Sequence, residues 1–501
     1  MSEENRQIKY GAMISYLAII LNSVISLAYT PWMANQLGKS QYGLYNLAYS
    51  FVRMFLVDLG LNAAVSRFVA KYRAEGREDK VEHFLGTVTK FYLVLGAIIC
   101  AILIVVYFFL GDIYQGLTAE EIVIFRKIYL IMAAATVFSF PFLSQNGILT
   151  AYAEFIPLKL CDLGQKVLSV ALIIIALLNH MDVVAVMAAY AGSTIVFILV
   201  KYFIIRNGLH LRIISQKNDQ EMRTQILQFT AWTATTTIAE GCTYGLAPTI
   251  LGIVSNTAQI ALFSPANFLE GYFSTFAAAI NDMFLPRISR YIAQGKENRI
   301  YPLMVMVGRY QLAFMGLIFI GFLCVGNTFM VTWMGPDYQG AYLCTVLCII
   351  PDMLNVTQQI ANTAVIAENK VRQKGIAQIV KTIVCVILSF LLSSKFGALG
   401  ACMAICIASL TEFAMMNHVY QKELNLDIRS FFRECYRSFL LPDAIALAAG
   451  YYLCNVVFAG VGWSSVVIQI LVVVILYTVL VWLMALKPEE KAFLKQKLLH
   501  R

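Results

Sequence analysis

The chain has 501 residues, of which 59% are hydrophobic and only 13% charged, and it carries a net charge of +9. Soluble domains have nearly twice that charged fraction, so a soluble enzyme or binding module is excluded and a polytopic membrane protein is expected. The basic excess gathers at one set of helix ends, which fits anionic lipid headgroups and gives no reason to expect a nucleic-acid partner.

A spanning helix needs about 20 mostly apolar residues. Fourteen segments qualify: 10–34, 41–69, 84–110, 122–149, 157–178, 183–205, 224–253, 257–288, 303–325, 341–366, 375–394, 398–418, 438–458 and 464–486. With the N-terminus inside, only Lys39, Arg126, Lys127 and Lys395 fall on the outer side, and Arg53 falls within the membrane. Both termini are therefore expected in the cytoplasm.

The first segment is too long for a signal-peptide core and lacks a small-residue cleavage site, so it is expected to remain as a span. Asn35-Gln36-Leu37-Gly38 forms the first outer turn, and the long second span invites a break at Gly60, between Asp58 and Asn62. Arg53 lies in that span. An ionised side chain at mid-bilayer costs roughly 2.5–3.5 kcal/mol, so it is expected to face protein or a water-filled path. Its planar fork suits a diphosphate, while an ion pair with Asp58, Glu240 or Glu270 is the competing reading.

Further along, Glu120-Glu121 precedes Arg126-Lys127 at an outer helix start, span four carries Pro141 near Gln145 and Asn146, and span five carries Lys159, Asp162 and Lys166. The polar linker at 211–223 separates an N-lobe, 1–210, from a C-lobe, 224–423. Spans seven and eight hold Glu240, Glu270, Pro248, Pro265 and Pro286, which predict kinks. Span ten holds Asp352 after Pro351. Burial raises a carboxyl pKa, which makes Asp58, Glu240, Glu270 and Asp352 candidates for H⁺ or Na⁺ coupling, with structural pairing as the alternative. No other cofactor is expected.

An internal echo links the lobes. Ser66-Arg67-Phe68-Val69-Ala70 returns as Ser289-Arg290-Tyr291-Ile292-Ala293, and Ala153-Glu154 returns as Ala367-Glu368. The members of each pair lie six spans apart, so the repeat is parallel and the path is expected between the lobes. Arg67, Arg290 and Arg309 sit toward the cytoplasmic ends, as vestibule cations or as ordinary inner anchors. Tyr45, Tyr49, Tyr244 and Tyr272 are candidate sugar platforms, with packing as the alternative.

Beyond the repeat, 424–439 reads as an amphipathic helix on the membrane surface, with Arg429, Arg433 and Arg437 opposite an apolar stripe. Two more spans occupy 440–486, and an amphipathic tail follows at 487–501. The eleven cysteines lie almost wholly in apolar segments. Cys344 with Cys348, and Cys402 with Cys406, have i, i+4 spacing but no His or Asp on the same faces, so no metal site is expected. The fold expected is all-α and polytopic, with about 14 transmembrane helices in two parallel-repeat six-helix lobes plus two C-terminal helices.

Leu37-Gly38, Tyr42-Gly43-Leu44-Tyr45, Asp58-Leu59-Gly60-Leu61 and Arg67-Phe68-Val69-Ala70 together resemble the opening of the polysaccharide transporters, the Wzx-type flippases of the MATE-like MOP exporter superfamily. The resemblance implies a non-enzymatic transporter of the bacterial cytoplasmic membrane. Its substrate would be an undecaprenyl-diphosphate-linked oligosaccharide, moved outward by alternating access for surface polysaccharide synthesis. Membrane lipids are implied as partners, with a glycan polymerase or glycosyltransferases acting beside it. Family members tend toward a cationic cavity, whereas the mid-membrane charges here are mainly acidic. A cation-coupled multidrug exporter of the same superfamily is the alternative. A membrane glycan polymerase fits less well, because no long outer loop carries His.

Overall fold

The computed structural model describes residues 3–55, 61–209, 211, 237–239, 241–243, 245–282, 284–368 and 370–492. Among them the chain is helical and has no strands. It divides into two compact units, Met1–Ala261 and Leu262–Arg501. The linker expected at 211–223 lies outside the described residues apart from 211, and 245–261 belong to the first unit.

The first unit contains α1 (Glu3–Phe55), α2 (Leu61–Ala74), α3 (Glu78–Ile113), α4 (Ala119–Ser139), α5 (Gln145–Ala151), α6 (Phe155–Leu178), α7 (Val183–Gly208) and α8 (Gly245–Val254). The first expected span and the start of the second, up to Phe55, run together as α1, broken only at Gly38, whose φ of 73° turns the chain where an L side chain would be strained. The expected break at Gly60 falls outside the described residues, and helix resumes at Leu61.

Helix starts follow local chemistry. Thr118 and Glu121 close a capping box on α4. Asp182 caps α7 by accepting from the amides of Val184 and Ala185. The core of this unit gathers Leu61, Val65, Val69, Phe84, Val88 and Phe140. Leu93, Val94, Ile98, Ile104, Val105 and Phe108 of α3 point outward, as a lipid-facing helix requires.

Helix α9 (Thr257–Asp282) begins in the first unit and continues into the second. The second unit then contains α10 (Leu285–Ala293), α11 (Ile300–Met334), α12 (Ala341–Thr357), α13 (Gln359–Ala367), α14 (Val371–Phe396), α15 (Ala398–Leu424), α16 (Ile428–Tyr452) and α17 (Trp463–Leu480). The last two end in π-helical turns, Leu453–Val457 and Val481–Ala485. Nine helices among the described residues are long and apolar enough to cross a membrane, or eleven if each of two bent pairs is one span. The protein is thus a multi-pass helical membrane protein.

The internal echo has a structural counterpart. Arg67 and Arg290 both lie on short helices, α2 and α10. The fourth span of each repeat is interrupted, by the 3₁₀ turn Phe140–Phe142 before α5 and by a 60° bend between α12 and α13. The residues of the expected surface helix behave differently from the expectation. They form the first half of continuous α16, capped by Asp427. Ile428, Phe431, Cys435 and Phe439 are buried in the core of the second unit, while Arg429, Arg433 and Arg437 stay exposed. The amphipathic pattern is present, but its apolar stripe packs on protein rather than lipid.

Candidate functional site

In the first unit, α2, α4, α5, α6 and α7 surround a cavity of about 340 Å³. Its polar lining comes from Asn62, Gln145, Asn146, Asp162, Gln165, Thr194 and Lys201, joined by the rings of Phe142, Tyr190 and Phe197. The walls are cross-braced. Gln145 donates to the Ile198 carbonyl at 3.1 Å, and the Gly147 amide donates to Asn62 Oδ1 at 2.8 Å. Gln165 Nε2 donates to Thr194 Oγ1 at 3.1 Å. Lys201 Nζ sits 2.8 Å from Asp162 Oδ1 and 3.0 Å from Asn146 Oδ1.

A file of tyrosines leads to this cavity. Tyr42, Tyr45 and Tyr49 recur at intervals of three and four along α1, so they share one helix face and stack in turn. Tyr49 then meets Tyr190 edge to face at 5.5 Å. Tyr45 and Tyr49, expected as sugar platforms, are therefore parts of one aromatic track.

At the end of the first unit expected outside, the Glu121 carboxylate draws together three segments. Ser40 and Thr257 donate to Oε1, the latter at 2.7 Å, while the Thr118 amide donates to Oε2 at 2.9 Å. A Cβ at Gly43 would lie 2.2 Å from the Thr257 carbonyl oxygen, so only glycine permits this approach of α1 to α9. Burial pushes the Glu121 pKa up, but these hydrogen bonds outweigh it and hold the carboxyl below its usual value.

The second unit has a charged cluster. Asp352 of α12 and Glu270 of α9 are carboxyl groups on two helices of this unit, and Glu270 is buried. Asp352 Oδ2 is shielded from solvent and has no hydrogen-bond partner in the described structure. Nearby, Lys381 of α14 pairs with Glu412 of α15 at 2.8 Å, and both side chains are largely buried. Charges this deep in apolar helices are costly unless paired or functional.

Arg309, expected near an inner vestibule, is occupied elsewhere. Its side chain is 2% exposed and its Nε lies 2.6 Å from Glu490. It also donates to Ser438 Oγ and to the carbonyls of Glu434 and Ala485, with Phe439 under the guanidinium. With those donors engaged inside protein, Arg309 fastens α11 to α16 and to the segment after α17; it is not presented to a substrate.

The remaining expected residues are placed as follows. Arg67 and Arg290 are exposed. Tyr272 packs on Phe268 at 4.7 Å, which in turn stacks on Trp333. Arg53 stands in α1, but its side chain, like Asp58, Glu240 and Tyr244 as a whole, lies outside the described residues. Sequence reasoning missed Lys381 and Glu412, although each is an ionisable residue inside an expected span, the signal that singled out Arg53. Lys201, near the end of span six, was missed for the same reason. No group of three or more His, Cys, Asp or Glu suited to a metal ion occurs among the described residues.

Among the described residues the chain is thus an all-helical, multi-pass membrane protein with polar sites inside each compact unit. A family model described as "Polysaccharide biosynthesis protein" matches residues 8–292, more than half of the chain. The chain belongs to that family.

Solved structures agree on the fold. The lipid II flippase MurJ in an inward closed conformation is 15% identical, with a TM-score of 0.73 over 94% of this chain and 98% of its own. An inward-facing multidrug resistance MATE family transporter of the MOP superfamily is 14% identical, with a TM-score of 0.62 over 80% of this chain and 99% of its own. The eukaryotic MATE transporter AtDTX14 is 15% identical, with a TM-score of 0.56 over 87% and 99%. Comparison with curated protein sequences gives no match.

Proposed function

We propose that the chain is a flippase that carries an undecaprenyl-diphosphate-linked oligosaccharide from the inner to the outer leaflet of the bacterial cytoplasmic membrane, by alternating access. The observation that carries this reading is the family match over residues 8–292, which takes in the whole polar cavity and its tyrosine track. Uncharged amides match sugar hydroxyls, which both donate and accept hydrogen bonds, better than they match hydrophobic cations. Arg53, Arg67 and Arg290 are assigned to the diphosphate, because guanidinium binds phosphate oxygens bidentately and stays charged at any working pH. Tyr45 and Tyr49 line the sugar route.

In this reading transport is coupled to a proton taken up and released by Glu270 or Asp352, with the Lys381–Glu412 ion pair as the fixed charges of the same unit. Depleting the protein in its native host and measuring lipid-linked glycans by mass spectrometry tests the function. The expected result is accumulation of one undecaprenyl-diphosphate glycan on the inner leaflet with loss of its surface polymer. Unchanged pools, with redundant flippases removed, would contradict it.

A second reading, a cation-coupled multidrug exporter, is favoured by the acidic pair itself and by the MATE folds. Drug susceptibility rising on depletion, with glycan pools unchanged, would select it.

A further inference from the structure

The cavity of the first unit has a chemistry more specific than polarity. We infer that it is a receptor site for an uncharged sugar ring, held by its hydroxyls; this rests on the flippase reading for the source of the sugar, but not for the chemistry of the walls.

Charge comes first. The lining contains one carboxylate, Asp162, and one ammonium, Lys201, and they neutralise each other at 2.8 Å. The second oxygen of Asp162 faces Lys159 at 3.9 Å. A phosphate entering here would have to take Lys201 from Asp162 and leave the carboxylate beside a second anion. An uncharged ligand meets no such opposition. A long hydrophobic ligand would strand the amides without partners, a loss larger than the contact it gained.

Hydrogen-bonding capacity comes next. Gln165 spends one N–H on Thr194, and its amide oxygen has no partner among the described residues. Asn146 accepts from Lys201 through Oδ1, and its NH₂ likewise has no partner among the described residues. The cavity thus offers an unused acceptor and an unused donor on walls already fixed by other bonds. Sugar hydroxyls, which both donate and accept, match that pairing. A site built to bond hydroxyls also rejects analogues that lack them far more strongly than an apolar pocket can.

The third element is aromatic. Phe142, Tyr190 and Phe197 contribute aromatic rings to the lining, a side-chain type that packs on the C–H face of a sugar. Phe197 lies so close to α6 that a Cβ at Gly164 would stand 2.6 Å from the end of its ring. Gly164 therefore sets how far this ring protrudes into the cavity. The volume of about 340 Å³ lies within the range of small-molecule sites.

The test uses the full-length protein in lipid nanodiscs and saturation-transfer NMR, with free neutral hexoses, N-acetylhexosamines and their disaccharides as probes. Inorganic phosphate serves as competitor. The wild type is expected to transfer saturation to at least one neutral sugar, unaffected by phosphate. Gln165→Leu, which removes the unused acceptor, is expected to weaken that binding about tenfold, the loss of roughly one hydrogen bond. Gly164→Ala, which displaces the Phe197 ring, should weaken it without removing any polar group. No transfer to any neutral sugar from the wild type, displacement by phosphate, or equal binding in both folded variants would overturn the assignment.

The cellular depletion assay separates the two levels. Glycan accumulation on depletion, with full rescue by Gln165→Leu, would leave the flippase reading standing and remove this site from it. Sugar binding that is lost in Gln165→Leu, with glycan pools unchanged on depletion, would keep the site and remove the flippase reading.

Discussion

The two compact units spend their polar groups in opposite ways. In the first, the side chains around the cavity are mostly neutral, their one charged pair is partly exposed, and some hydrogen-bonding atoms remain unused. In the second, charge is buried and largely saturated, at Arg309 with Glu490 and at Lys381 with Glu412. A sequence echo at matching helices does not bring matching chemistry with it. Spare hydrogen-bonding capacity on a braced wall fits exchange with a ligand; saturated buried charge fits either rigid fastening or a proton held in place.

The sharpest way to break this contrast is to open the saturated pair. Arg309→Met leaves Glu490 without its partner, and breaking a buried pair costs about 3–5 kcal/mol. A fall in thermal unfolding temperature in detergent checks it, and replacing both partners with apolar residues should restore much of the loss. The same pair has a pH signature. Burial raises the Glu490 pKa, but the hydrogen bonds from Arg309 and from the Lys487 amide outweigh it, so the folded value lies below the ordinary one. Its contribution is present above the unfolded carboxyl pKa of about 4.3 and is lost as pH falls through the depressed folded value. Acid unfolding of Glu490→Gln should lose that component.

Next in size is the Lys381 pair. Lys381→Ala strands Glu412 among apolar helices and is expected to cost about 3 kcal/mol and to abolish transport. Glu270→Gln and Asp352→Asn act on the function more than on the fold: each removes a carboxyl group that can take up and release a proton. Transport should lose its dependence on a pH gradient, with stability changed by about 1 kcal/mol. Proteoliposomes with imposed gradients measure this.

The smallest effect belongs to the first unit. Glu121→Gln weakens the tie among Ser40, Thr118 and Thr257 and is expected to cost about 1 kcal/mol. Because the folded Glu121 pKa is depressed, the tie persists above the unfolded carboxyl pKa and weakens in acid. A small fall in the thermal unfolding temperature of the Gln variant at neutral pH, shrinking as the pH is lowered, checks it.

Most of the spans and the turn at Gly38 were legible in the sequence because each rests on a local rule: apolar run length, or a backbone angle that glycine alone adopts freely. The amphipathic stripe at 428–439 was legible too, but periodicity reports a buried face without naming what buries it, and that face met α11. Arg309 carries the same lesson. Its chain position marked it as an inner cation, and only the return of Glu490, 181 residues later, shows its partner. The cavity was invisible for a related reason, since Asn62, Asn146, Gln165 and Lys201 lie far apart in the chain and become a site only where α2, α5, α6 and α7 converge beside α4.

Leaflet-resolved translocation in proteoliposomes tests the central claim most directly. Undecaprenyl-diphosphate oligosaccharide from the native host is placed in one leaflet, and its appearance in the other is followed under a proton gradient. The account predicts transfer by the wild type that Lys381→Ala abolishes and Asp352→Asn uncouples from the gradient. No transfer by folded wild-type protein supplied with its host's own lipid-linked glycan would contradict it.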